Sequence, residues 1–158
     1  MNRLFKVALV LGVITCFALC ARSVRSAANP GPSVTQDKAS PNGKVMREYK
    51  GVKLGMKREQ VKVALGNPTN SSENSEDYSL TGDDTMTVHY ENGEVKAIQL
   101  AFLDPKNAPA WKDVVGDAEV NQMENGAKHA RKVVSGENFW VSIYQSKDGT
   151  TTRITISR

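Results

Sequence analysis

The chain of 158 residues is short of the side chains that most enzyme chemistry needs. It has two cysteines, Cys16 and Cys20, and both lie inside an apolar N-terminal run. Beyond that run no thiol remains for a disulfide, a thiolate nucleophile or a zinc site. Histidine is equally scarce: His89 and His129 each stand in a strand-like stretch with no carboxylate at dyad spacing. GxSxG, HExxH, CxxC and phosphate-cradling glycine patterns are missing. Gly82-Asp83-Asp84 reads as turn chemistry, not as a cation site. With no nucleophile–base pair to name, the expectation is a non-enzyme with no catalytic, cofactor-binding or metal residues.

An excess of charge is also missing once the chain is divided. The formal net charge is +4, but residues 1–28 hold four basic and no acidic side chains. The remainder carries 17 basic and 17 acidic groups, so nothing argues for a nucleic-acid partner. The charges that remain are segregated. Residues 38–62 have eight basic and two acidic groups, and residues 63–95 have seven acidic groups with no Lys or Arg. Attraction between these blocks across the fold, or a bipolar surface that orients a partner, would follow.

The N-terminus has the order of an export signal. Arg3 and Lys6 precede the apolar run Val7–Ala21, which Thr15 alone interrupts. Such a run spans about 22 Å as a helix, less than the ~30 Å hydrocarbon core. Residues 1–28 are expected to be a signal peptide cleaved after Ala28, or an uncleaved anchor, since Arg22 and Arg25 follow the run. Leu19 stands before Cys20 where a lipidation motif wants a small residue. Export to the periplasm, cell envelope or medium is expected, with membrane contact only through this segment. Residues 29–44, rich in Pro, Gly, Ser and Asn, read as a flexible linker to a single domain at 45–158.

Within that domain, Gly55 to Pro68 spells one short helix. Val61, Ala64 and Leu65 fall at i, i+3 and i+4, Gly66 suits a helix-ending residue, and Pro68 blocks continuation. A helix of about ten residues cannot stand alone in water, so it implies a covering sheet. TNSSENSE, Thr69 to Glu76, reads as a polar loop. Strands are expected at 77–81, 85–91 and 94–102, with Asn92-Gly93 as a type I′ hairpin turn. Val95 and Ile98 have opposite parity, which calls for a bulge or a sheet apolar on both faces.

The second half reads as a repeat of the first. TGDDTMTVHY, Thr81 to Tyr90, aligns without gaps on SGENFWVSIY, Ser135 to Tyr144, at a constant offset of 54. A short helix over Ala108–Val115 and strands at 120–123, 128–134, 139–144 and 151–157 complete half-repeats of about 51–103 and 108–158. The expected fold class is α+β: short helices packed on an antiparallel sheet in two tandem helix-plus-meander units. Alternation in 139–144 puts Trp140 and Tyr144 on one face, and the alignment gives Met86 and Tyr90 the same parity. These four are the candidate protein contacts. Trp111, at the head of the second helix, is a core candidate.

Gly55-Met56, Gln60-Val61, Leu65-Gly66 and Pro68, followed by Tyr78, Tyr90, Asn92-Gly93-Glu94-Val95 and Ile98, resemble the SmpA/OmlA (BamE-like) family. The match covers about 50 residues, Gly51 to Phe102. The doubled unit is also similar to the fold of beta-lactamase inhibitor protein. The resemblance implies an exported, non-catalytic protein that acts by protein–protein contact, as a binding or scaffolding module in outer-membrane assembly or maintenance. The alternative it implies is a secreted inhibitor binding an enzyme through its sheet face. The family usually has Ser or Thr as the helix N-cap; this chain has Lys57, which loses half of the capping box to Gln60.

Overall fold

The computed structural model describes residues 44–158, which fall within one compact unit. The export segment at 1–28, Cys16, Cys20 and the linker up to residue 43 lie outside the described residues. The elements run β1 (Glu48–Tyr49), β2 (Val52–Lys53), α1 (Arg58–Leu65), β3 (Asn70–Ser71), β4 (Ser75–Ser79), β5 (Thr85–Glu91) and β6 (Glu94–Phe102). Then come α2 (Trp111–Val115), β7 (Asn121–Gln122), β8 (Lys128–Val134), β9 (Phe139–Gln145) and β10 (Thr152–Ser157). β1 and β2 form a separate hairpin; the other strands form one eight-stranded sheet in the order β3-β4-β5-β6-β10-β9-β8-β7. Every pairing in it is antiparallel.

The expected α+β class, helices packed on a sheet, is overturned. Strand accounts for 43% and helix for 11% of the described residues, so the fold is mostly antiparallel β. The helices are shorter than expected for local reasons. α1 begins only at Arg58, because Lys57 keeps extended dihedrals, and it ends at Gly66, whose φ is +84°. α2 begins at Trp111 and not at Ala108, since a residue before proline is pushed out of the helical region and Pro109 follows Ala108. Together the helices fully bury Val61, Val114 and Val115, and the strands supply most of the remaining core.

The core lies on one face of the sheet. Met86, Val88, Ile98, Leu100, Val141, Ile143, Ile154 and Ile156 are buried there, each contributing about 1.5–3 kcal/mol. The chain from Val45 to Met56 and both helices pack on this face. Met46 N–H donates to Val114 C=O at 2.9 Å, and Gly55 N–H to Val95 C=O at 2.9 Å. Tyr49 meets Phe102 edge-on at 6.1 Å between ring centres.

Asn92 and Gly93 both have positive φ, 54° and 77°, as a type I′ turn between β5 and β6 demands. A register shift between His89 and Tyr90 is the bulge that lets Val95 and Ile98 both point inward.

Candidate functional site

α1 carries Arg58 and Lys62 one turn apart, so both project from one side of the helix. β4 alternates Glu76 and Tyr78 onto the covered face, and β5 adds Tyr90. These five side chains meet. Tyr78 Oη donates to Glu76 Oε2 at 2.8 Å, and Tyr90 Oη donates to the same oxygen at 2.7 Å. Glu76 Oε1 faces Lys62 Nζ at 3.6 Å and Arg58 Nη1 at 3.9 Å. The Arg58 guanidinium lies 4.4 Å from the Tyr90 ring centre and also donates to the Ser72 and Glu73 carbonyls.

The Glu76 side chain has no exposed surface. Burial pushes its carboxyl upward, but the two tyrosine hydroxyls, Arg58 and Lys62 together hold it below the usual range. Burial, and then the neighbouring Glu76, push Tyr78 up to about 12 and raise Tyr90 as well. A carboxylate held this way fastens α1 to β4 and β5; it offers no accessible atom for proton transfer.

Asp84 is a second buried acid. Its Oδ1 accepts from Leu103 N–H at 2.7 Å, and its Oδ2 from Asn107 Nδ2 at 2.8 Å. Burial acts to raise its carboxyl, and these bonds outweigh it, so the group sits below its ordinary value. It ties the turn before β5 to the loop after β6. Among the described residues, no cluster of three or more His, Cys, Asp or Glu side chains is arranged to hold a metal.

The opposite face of the sheet is uncovered by any other described element. Its middle is floored by small and polar side chains, and a trough of about 270 Å³ runs between Thr85, Thr87, Gln99, Ala101, Arg153 and Thr155. Towards the β8–β9 end the side chains grow larger. Trp140 and Tyr144 are half-buried there, flanked by Val133 and His129, their cross-strand partners on β8. The Arg131 guanidinium lies 4.1 Å from the Trp140 ring centre.

Of the four expected contact residues, this face brings together only Trp140 and Tyr144. Met86 and Tyr90 are corrected: they are core residues, 0% and 6% exposed. The cause is register. Leu100 and Ile154 pair directly at the centre of the sheet; Met86 lies opposite Leu100 and Ile143 opposite Ile154. Met86 therefore corresponds to Ile143, 57 positions on and not 54, and an odd slip inverts every side chain. His89 and His129 lie at opposite ends of the open face, and His89 Nε2 is buried without a hydrogen-bond partner among the described residues. Trp111 packs against the core.

Sequence reasoning passed over Glu76, Arg58 and Lys62, because Thr69–Glu76 reads as a loop. The available signal was the i, i+2 pair Glu76 and Tyr78 facing an i, i+4 pair of cations. Arg131 and Arg153 were passed over too. Arg47, Arg58 and Arg158 pair with Glu137, Glu76 and Glu94, whereas these two, both on the open face, meet no carboxylate among the described residues. No family model, curated protein or solved structure matches the chain.

Proposed function

We propose that the chain is an exported, non-catalytic envelope protein whose folded part is a protein-binding module, and that it docks through the β8–β9 end of the open sheet face. One observation carries this reading: Trp140, Tyr144 and Arg131 stand together on the uncovered face, with Val133 beside them 61% exposed. Trp, Tyr and Arg are the residue types that dominate interface energetics when a partner removes their water. The export part rests on Arg3, Lys6 and the run Val7–Ala21.

Affinity capture from an envelope extract, using the wild-type chain and Trp140→Ala as paired baits, tests the reading. A partner held by the wild type should be lost about tenfold or more with Trp140→Ala, a difference of about 1.4 kcal/mol or more. Equal recovery on both baits would remove the face from consideration. If the captured partner is an enzyme whose turnover falls on binding, the module acts as an inhibitor. Cell fractionation, with mass spectrometry of the mature N-terminus, checks the compartment.

A further inference from the structure

The sheet ends unevenly. β7 is two residues long and pairs only with His129 and Lys128, while β8 runs on to Val134. Ala127 C=O accepts Met123 N–H at 2.8 Å, which fixes the parity of the strand edge. Alternate residues of a strand turn their N–H and C=O to the same side, so Ala127, His129, Arg131 and Val133 face away from β9. The last two have no strand beside them among the described residues. Four backbone groups, the N–H and C=O of Arg131 and Val133, therefore form an open edge.

The other end of the sheet is closed by comparison. On β4, Asp77 C=O accepts Thr69 N–H and Ser75 C=O accepts Ser72 N–H, each at 2.8 Å, which leaves Ser79. Native edges are usually guarded by free lysines, prolines or inward-pointing charges. The two charges that β8 carries along this open stretch are both taken up within the fold. Lys132 is engaged with Asp117 at 2.9 Å, and Arg131 lies back over Trp140.

We infer that the β8 edge accepts an extended segment of a partner protein as a ninth strand, with an acidic residue beside Arg131 and an apolar residue beside Val133. This rests on the protein-binding reading above and names its mode. Main-chain bonds to Arg131 and Val133 supply the pairing, and side chains on the open face supply the selection. Arg131 and Val133 share that face two residues apart, so the segment carries its acidic and apolar residues two positions apart. The acid follows from charge: among the described residues the Arg131 guanidinium meets the Trp140 ring and no carboxylate, which leaves its forked donors for one. The apolar residue lands beside Val133, which is 61% exposed and paired with Trp140 on its other side.

Two fluorescein-labelled heptapeptides in a threonine background provide the probe: one has Glu and Leu two positions apart, the other has Lys in place of Glu. The full chain is expected to bind the first by fluorescence anisotropy. Hydrogen exchange at the Arg131 and Val133 amides should slow about tenfold or more on saturation. Val133→Pro removes an outward-facing N–H and no ladder bond, so it should keep its circular dichroism and weaken peptide binding about tenfold or more. Arg131→Glu should reverse the preference toward the lysine peptide, and it decides the matter should the proline variant fail to fold. Absence of peptide binding at millimolar concentration, unchanged exchange along β8, or full binding by a folded Val133→Pro would each overturn the inference. A natural partner lost with Trp140→Ala but retained by Val133→Pro would overturn the edge mode and leave the binding-module reading standing.

Discussion

Tyr90 holds its hydroxyl 2.7 Å from Glu76 Oε2, tying β5 to a carboxylate on β4 that has no exposed surface. Glu76 also answers two cations on α1, so its loss would strand Arg58 and Lys62 as well as two tyrosine hydroxyls. Glu76→Gln is expected to destabilise the fold by about 3 kcal/mol, the cost of removing one partner from a buried charged network. Tyr90→Phe removes one donor and should cost about 1–2 kcal/mol. Urea denaturation of the two variants checks the order.

The same network sets the response to pH. Glu76 and Asp84 both titrate below their ordinary values in the folded protein. Their contribution is complete above the unfolded carboxyl value, roughly pH 4–4.5, and is lost as pH falls through the lowered folded values. At the alkaline end the sign reverses. Tyr78 rises from 10.0 to about 12, so stability held below pH 10 is lost as pH climbs across that interval. Thermal melts between pH 2 and 12 should show both limbs, and Glu76→Gln should flatten the acid one.

Asp84→Ala should cost about 2–3 kcal/mol, because it leaves the Leu103 N–H and the Asn107 amide without their acceptor in a part-buried site. Asp83, its exposed neighbour, has no such bonds, and Asp83→Ala should fall within about 0.5 kcal/mol of wild type. Denaturant midpoints of the pair separate turn chemistry from a buried tie.

Much of the strand pattern was legible because its cause is local. Thr85–Glu91 and Glu94–Phe102 appear with the expected bounds, since alternation and the Asn92-Gly93 turn specify both strands and their register. What was not legible depends on tertiary partners. Glu76 looks like loop material until Arg58, Lys62, Tyr78 and Tyr90 come around it, and burial of a lone glutamate is otherwise prohibitive. The relation between the halves failed on a different point. Gly82 and Gly136, with the residues around them, suggest a gapless match, but side-chain facing obeys a period of two and is set by pairing across the sheet.

Helix α1 tests the local rules in both directions. Gly66 has φ +84° and ψ −155°, a conformation essentially confined to glycine, so Gly66→Ala should cost about 1–3 kcal/mol from the backbone alone, although open space lies where a Cβ would stand. At the other end, Gln60 Oε1 accepts Lys57 N–H at 2.8 Å, half of a capping box. Lys57→Ser supplies the missing acceptor for about 1 kcal/mol and gives up only an exposed, solvent-screened ion pair to Glu94. The variant should be more stable than wild type by about 0.5 kcal/mol, read as a raised urea midpoint.

Met86 and Trp140 give the sharpest comparison, because sequence alignment placed them as equivalents and the sheet sends them to opposite faces. Met86 is fully buried, and Met86→Ala should destabilise by about 2–5 kcal/mol through lost burial and the cavity it leaves. Trp140 keeps part of its surface in water, and its described ring contact is Arg131, a cation–π pair worth about 0.5–1 kcal/mol at an exposed site. Trp140→Ala should therefore cost less than about 1.5 kcal/mol and leave near-native circular dichroism. Equal losses from the two variants would mean that the ring of Trp140 is structural, and the open face would then have no anchor to offer a partner.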